Sequence, residues 1–206
     1  RAAALIGLAR LAPADAGSLI EAALDDQDRR VRESACLALG LLGDAAAISL
    51  LIGILNDDLT SRGKLGRTQS EIMPRTRAFA ALGLGLIGRH HPGREAKRSV
   101  EALRTRLQAN VAIRTHEDLE AGPVVALGFM RTKDSLVPLI DYLQQREKPP
   151  VVRAYAATSL GSIGDVRALD PLLAALDDSE SAVVQGAVIA LGQLVDKDDV
   201  KRHRVL

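Results

Sequence analysis

Aromatic side chains are scarce in this 206-residue chain, which contains two phenylalanines, two tyrosines and no tryptophan. Stacking platforms for bases, sugars and flat cofactors are built from aromatic rings, so this scarcity excludes most of them. The single cysteine, Cys36, excludes an internal disulfide and a cysteine-cluster metal site. The 27 Lys and Arg residues nearly cancel the 26 Asp and Glu residues, so the total charge indicates no particular partner.

Long hydrophobic runs are also missing, since the most apolar stretch covers only residues 78–88. A bilayer span needs roughly 18 to 20 apolar residues, and no signal-peptide pattern opens the chain. The sequence therefore predicts no membrane span. Because the chain starts at Arg1, we expect a fragment of a longer protein, and its compartment stays open, with the cytoplasm as the default.

Alanine and leucine are abundant, with 32 of each, and they recur in a pattern. Units start near residues 1, 32, 77, 120, 153 and 184, and a leucine stands seven positions after every start. The next position holds Ala9 and then five glycines: Gly40, Gly85, Gly128, Gly161 and Gly192. Apolar residues at offsets 3, 7 and 10 share one helical face, so each unit opens with an amphipathic helix, here named helix A.

A second helix, helix B, follows in most units. Gly43, Gly88 and Gly164, eleven positions after the unit start, are predicted to end helix A in a left-handed conformation, and Asp44 and Asp165 to begin helix B. In the fifth unit the expected apolar face of helix B is formed by Ala168, Leu169, Leu172, Leu173 and Leu176. The glycines at offset eight cost roughly 1 kcal/mol each relative to alanine, which predicts close helix approach there.

Two units are enlarged. Residues 57–76 are predicted to form a loop insertion that leads to a helix with Pro74 in its first turn. Residues 89–117 form the second enlargement, with a long helix over about 94–108 and a connector over 110–117. After residue 196 we expect a helix B that is cut short. The whole of 1–206 is predicted to be one repeat domain.

The pattern V-R-x-x-A-x-x-A-L-G-x-[LI]-G-D-x-x-A-[IL]-x-x-L-L-x-x-L resembles the short HEAT-like repeat of the phycocyanobilin lyase type. Residues 31–55 match it nearly throughout, and residues 152–176 match with Ser159 in place of the second alanine. The resemblance implies an all-α, right-handed α-solenoid of about five and a half helix-turn-helix repeats. It also implies B helices that line a concave side and hold other proteins, so we expect a non-enzymatic interaction scaffold.

Enzymes that carry this repeat were compared residue by residue. Deoxyhypusine hydroxylase builds its iron site from several His-Glu pairs at equivalent repeat positions, whereas here the one such pair is His116-Glu117. His90, His91 and His203 are predicted to be solvated, and Cys36 to be a packed structural thiol. We therefore expect no catalytic residue, no metal site and no cofactor. A lyase-like subunit of a bilin-attachment enzyme remains an alternative.

Charge is distributed unevenly along the chain. Arginines recur at unit starts (Arg1, Arg32, Arg77 and Arg153), and aspartate pairs follow the B helices, which indicates a structural ladder. Residues 62–114 carry twelve basic and three acidic residues, a surplus of +9. Either this segment is solvated and neutralised by neighbouring repeats, or it binds an acidic protein, another acidic ligand or a nucleic-acid backbone.

Positions on the B helices that point away from the apolar face are the predicted partner-binding residues. They are Ser49, Gly53, Arg94, Lys97, Arg98, Glu101, Asp141, Asp170 and Ala174. These small or charged side chains favour a shallow groove for a helix or an extended peptide of another protein over a closed substrate pocket.

Overall fold

The structure is a computed structural model that describes residues 1–66, 70–109 and 117–195. These residues form twelve α-helices and no strands. In chain order the helices are α1 (Ala2–Leu11), α2 (Ala16–Ala22), α3 (Arg29–Leu42), α4 (Ile48–Asn56), α5 (Leu59–Lys64), α6 (Pro74–His90), α7 (Arg94–Gln108), α8 (Glu117–Met130), α9 (Leu136–Gln144), α10 (Pro150–Ile163), α11 (Leu169–Ala174) and α12 (Ser181–Val195).

The helices alternate between the two predicted classes. The A helices are α1, α3, α6, α8, α10 and α12, and the B helices are α2, α4, α7, α9 and α11. Each A helix packs against the B helix that follows it or precedes it, as α6 does against α7 and α10 against α9. This arrangement confirms the predicted α-solenoid class. The chain divides into two compact units, residues 1–126 and residues 127–206.

The turns between A and B helices follow the predicted chemistry in two units. Gly43 and Gly164 end α3 and α10 with φ angles of 74° and 71°, a left-handed conformation that favours glycine. Asp44 and Asp165 then accept hydrogen bonds from backbone N–H groups two residues further on. The prediction for Gly88 is wrong, because this residue is buried within α6, which continues to His90.

Close approach between successive A helices explains the glycines at offset eight. A Cβ atom on Gly40 would lie 2.5 Å from the Cα atom of Gly83, and one on Gly161 would lie 2.6 Å from the Cα atom of Ala190. Real Cβ atoms do not approach other heavy atoms so closely, so these positions require glycine. Gly85 and Gly128 meet Ala126 and Ser159 in the same way. The partners belong to a second column of small residues at offset six, which the sequence also contains.

The first insertion is not wholly a loop. Residues 59–64 form α5, whose N-terminus is capped by Asp58, since its carboxylate accepts a hydrogen bond of 2.7 Å from the Ser61 N–H. Gly63 within this short helix weakens the helical signal in the sequence. The helix α6 begins at Pro74 as predicted, because proline lacks the N–H that a first-turn residue leaves unpaired.

Several sequence predictions fall outside the described residues. Most of the connector over 110–117 lies there, together with His116, Arg114 and Arg67. The expected start of a further helix B after residue 196 lies there as well, with His203.

Candidate partner-binding surface

The arginines at unit starts bind the ends of preceding B helices. Arg32 donates hydrogen bonds to the carbonyl oxygens of Asp26 and Gln27, at 2.6 and 3.0 Å. Arg77 donates to the carbonyl oxygen of Leu55 at 2.9 Å. Carbonyl groups at a helix C-terminus lack partners within the helix, so a guanidinium group satisfies them and favourably meets the negative end of the helix dipole.

Arg153 makes the most complete set of these contacts. Its Nε donates to the carbonyl oxygen of Leu143 at 2.9 Å, and its two Nη atoms bind the Asp178 carboxylate at 3.2 and 2.5 Å. Both side chains are almost fully buried, 3% and 4% exposed. The hydrogen bond from Arg153 lowers the pKa of Asp178 despite burial. The structural role predicted for the arginine ladder is confirmed.

Most cations of the basic segment 62–114 have partners on neighbouring elements. Arg62 pairs with Asp57 at 2.6 Å, and Lys64 pairs with Glu21 at 2.6 Å. Burial alone would raise the pKa of Asp57, but hydrogen bonds from Arg62 and from the Ile72 N–H hold it below its usual range. Further cations are half-buried or paired: Arg75 with Glu33, Arg104 with Glu101, and Arg77 and Arg106 within the helix packing. This part of the surplus is neutralised by its surroundings.

The cations that face solvent lie mainly on α7. Arg94 and Lys97 are exposed, and Arg98 donates a hydrogen bond of 2.8 Å to the Oγ atom of Ser49 on α4. The opposite side of α7 is apolar and buried through Ala96, Val100, Leu103 and Leu107. The helix therefore turns three cations toward the α4 surface that includes Ser49. Glu101 is exposed beside them and is paired with Arg104.

An open groove of about 570 Å³ lies between α2 and α4. Its lining includes Pro13, Gly17, Glu21, Asp44 and Ser49, with Leu39 and Leu50 contributing apolar surface. Small residues keep the floor shallow, and two carboxylates lie along the groove. The side chain of Ser49 joins this groove to the cations of α7.

Gly53 does not line the groove, so its assignment as a partner-binding residue is wrong. It is buried on α4 beneath the Ser61 and Asp58 side chains of the α5 segment, where a Cβ atom would overlap both. The sequence could not place Gly53 correctly because α5 was predicted to be loop. Its glycine is needed for the seating of α5.

Unit 127–206 presents a different B-helix surface. Asp141 on α9 and Asp170 and Ala174 on α11 are exposed, as predicted. Two exposed apolar side chains accompany them, Val137 at 61% and Leu173 at 46%. Val137 and Asp141 are one helical turn apart, as are Asp170 and Ala174, so each pair shares a face. This face combines carboxylates with apolar surface.

Leu173 and Leu176 were predicted to be core residues, and that prediction is wrong. The core position is taken by Ala175, which is 7% exposed, whereas Leu176 is 37% exposed. The 3₁₀ turns Val166–Ala168 and Ala175–Asp177 flank α11. Three residues per turn instead of 3.6 rotate the buried face, so a helical period drawn across residues 168–176 fails. Val137 could have been found from the sequence, because it lies opposite the core positions Leu136, Leu139 and Leu143 on a helical wheel.

The remaining candidate residues have structural surroundings. Cys36 is fully buried, and burial, with the nearby Glu33 carboxylate, raises the pKa of its thiol to about 12. The Nε2 atom of His91 lies 2.5 Å from the carbonyl oxygen of Gly43, so this half-buried ring packs against a turn and is not simply solvated. His90 is exposed beside the same turn.

Metal and membrane signals were sought in the described part of the chain. Residues 1–66, 70–109 and 117–195 contain no cluster of three or more His, Cys, Asp or Glu side chains that could hold a metal ion. Within these same ranges, each helix is too short or too polar to cross a membrane.

The fold and surface described above are those of a helical repeat scaffold. Residues 1–70 and 136–202, together more than half of the chain, match the model for HEAT repeats. The chain belongs to the HEAT repeat family, and the resemblance to the phycocyanobilin lyase type of repeat is confirmed. No curated protein matches the chain.

Solved structures with similar folds include the complex of CpcE and CpcF of phycocyanin lyase from Nostoc sp.. The identity is 23% and the TM-score 0.58, and the match covers 88% of this chain and 65% of that chain. Human deoxyhypusine hydroxylase, solved in complex with glycerol, matches at 21% identity and a TM-score of 0.49, over 94% of this chain and 78% of that one. An engineered protein matches at 17% identity and a TM-score of 0.46, over 95% and 90%. At this identity, the likeness to the lyase complex shows the shared fold alone.

Proposed function

We propose that this chain is a non-enzymatic scaffold that holds a segment of another protein against its B-helix surface. The groove between α2 and α4 is the observation that carries the proposal. It is open, shallow and about 570 Å³ in volume, and its lining mixes apolar, small and carboxylate side chains. Such a groove suits a helix or an extended peptide, which brings its own backbone structure and needs only side-chain contacts.

Charge narrows the chemistry of the segment. Arg94, Lys97 and Arg98 lie beside Ser49 at the α7 side of the groove, so an acidic stretch of the partner would be attracted there. In unit 127–206, Asp141 and Asp170 surround the exposed Val137 and Leu173. This second surface favours a basic or amphipathic stretch.

Site-specific photocrosslinking tests this assignment. A crosslinking amino acid at Ser49 or at Asp141 should capture the partner, whereas the same group at Thr158, a half-exposed position of the A helix α10, should not. Equal capture from all three positions would contradict binding at the B-helix surface.

Charge reversal then tests the role of α7 with the captured partner. The triple variant Arg94→Glu, Lys97→Glu, Arg98→Glu should weaken affinity at least about tenfold at low salt, because rim charges act mainly through long-range attraction. The matched control exchanges the paired charges on the same helix, Glu101→Arg with Arg104→Glu, and keeps the net charge. Unchanged affinity in the triple variant would remove α7 from the binding surface.

The exposed cations of α7 also support a second candidate function, contact with a phosphate backbone. Phosphate contacts need no aromatic side chains, and the three exposed cations lie on one helix. Binding to DNA or RNA should then weaken steeply with salt, with a logarithmic slope of about 0.7 to 0.9 per phosphate contacted. No binding at low salt would exclude this candidate and leave the protein-binding proposal standing.

The non-enzymatic part of the proposal has its own test. The chain is co-expressed with a bilin and a phycobiliprotein acceptor, and the absorption spectrum of the acceptor is recorded. We expect no bilin transfer, and a covalently attached chromophore would make the chain a lyase-like subunit.

A further inference from the structure

The contact between successive A helices repeats through the chain, with the same positions on each side. Offsets four and eight of one unit face offset six of the next, as Gly40 and Cys36 face Gly83, and as Gly161 faces Ala190. At offset four, Cys36, Ala81, Val124 and Ala157 are all completely buried. Each A helix therefore has one face that contacts the preceding unit and another that contacts the following unit.

One such face is uncovered on α12. Val188, at offset four, is 56% exposed, and its neighbour Ile189 is 47% exposed. Gly192, at offset eight, has no heavy atom within 4 Å of the position of a Cβ atom, in contrast to its four glycine counterparts. The described surface of α12 between Gln185 and Gln193 thus presents apolar and small residues and no charge.

The complementary face is uncovered on α1. Gly7, at offset six, also has no heavy atom within 4 Å of a Cβ position, whereas Ala38, Ala126 and Ala190 at the same offset are completely buried. Leu11, at offset ten, is 83% exposed, although its counterpart Ile87 is completely buried. Ala3 and Ala4 extend this small-residue surface.

We infer that two copies of this chain associate end to end, with the outer face of α12 on one copy packed against the outer face of α1 on the next. The occupant of the α12 face is a second copy because this chain carries the matching half of the contact, with Gly192 placed to meet Gly7 as Gly40 meets Gly83. The contact continues the interface that stacks the A helices within each unit. It lies away from the B-helix surface and is independent of the proposed function.

The contact joins two different faces, so it leaves one free face of each kind on every assembly. Heterologous contacts of this type generate open chains of copies instead of closed dimers. A single helix-on-helix contact buries less surface than a stable protein complex needs, so we expect a dissociation constant on the order of 0.1 mM. Sedimentation velocity from about 10 µM to 1 mM should show mass that rises continuously with concentration.

Two variants and their mixture test the polarity of the contact. Gly7→Glu blocks the α1 face and Val188→Glu blocks the α12 face, and both positions have room for a new side chain in the separate molecule. Each variant alone should be monomeric. Their equimolar mixture should form dimers and nothing larger, because only one pair of intact faces remains. Val137→Glu, which changes an equally exposed valine on α9, is the matched control and should assemble like the unchanged chain.

Three results would overturn the inference. The unchanged chain could stay monomeric at 1 mM, Gly7→Glu alone could still dimerise through two α12 faces, or Val137→Glu could abolish assembly and move the contact to the B-helix surface. Circular dichroism melts verify that each variant is folded. Leu11→Glu replaces Gly7→Glu if that variant is unstable, because Leu11 is the most exposed apolar side chain on α1.

Discussion

Replacing Gly161 tests whether close approach of A helices stabilises the fold. A Cβ atom there would lie 2.6 Å from the Cα of Ala190 and 2.8 Å from its Cβ. Ordinary carbon–carbon contacts are about 3.5 to 4.0 Å, so α10 and α12 would have to separate by about 1 Å. Such overpacking costs about 1 to 3 kcal/mol, while alanine in a helix gains about 1 kcal/mol over glycine. For Gly161→Ala we therefore expect a net loss of about 1 kcal/mol, and for Gly161→Leu about 3 kcal/mol.

Gly192 provides the matched control, because it occupies the same offset and has no atom within 4 Å. Gly192→Ala should keep the gain in helix propensity without the clash and should stabilise α12 by up to about 1 kcal/mol. Urea unfolding followed by circular dichroism at 222 nm measures both changes, at a protein concentration of a few micromolar to avoid association. The reasoning is refuted if Gly161→Ala raises the unfolding midpoint as Gly192→Ala does.

Three further predictions concern buried groups. Arg153→Met should destabilise by about 3 kcal/mol near neutral pH, because it leaves Asp178 buried without its partner, whereas Arg1→Met should cost at most about 1 kcal/mol because the Arg1–Asp26 pair is exposed. The folded-state pKa of Asp178 is lowered, so its stabilising contribution is complete above about pH 4 and is lost as the pH falls through that lowered pKa; the difference between wild type and Arg153→Met in urea melts should shrink at acidic pH, and a pH-independent difference would contradict the pairing. Cys36, with a thiol pKa of about 12, should react with a disulfide reagent at pH 8 on the order of 1,000-fold more slowly in the native protein than in urea, and equal rates would refute its burial. Gly53→Ala should displace α5 and increase proteolytic cleavage near residues 59–64, while Gly7→Ala should leave the cleavage pattern unchanged.

Local chemistry made much of the fold predictable. Leucine and glycine columns gave the A helices, and the Gly-Asp pairs at 43–44 and 164–165 gave two of the turns. Gly88 failed because the same residue type serves both helix ends and close packing, and only the neighbouring helix decides which applies. The small residues at offset six were present in the sequence but became meaningful only when the opposing glycines showed what they contact.

The surface was harder to predict than the core. The side chains of Asp141, Asp170 and Ala174 face solvent as expected, but Gly53 is covered by α5, a helix stabilised by its Asp58 cap and obscured by Gly63. Leu173 was placed in the core because a constant period of 3.6 residues was assumed across two 3₁₀ turns. The basic surplus of 62–114 was counted correctly, yet its reach depends on ion pairs with residues as distant in sequence as Glu21. Sequence separation hides such pairs.

The two columns of small residues have a consequence for how such a chain can change in length. Every A helix offers a small residue at offset six, and five of the six offer glycine at offset eight. A duplicated or deleted repeat therefore creates no new kind of junction, because any A helix meets the next through the same pair of positions. Gene-level insertion of whole repeats is tolerated by this packing, whereas insertion of a few residues within helix A would move both columns out of alignment.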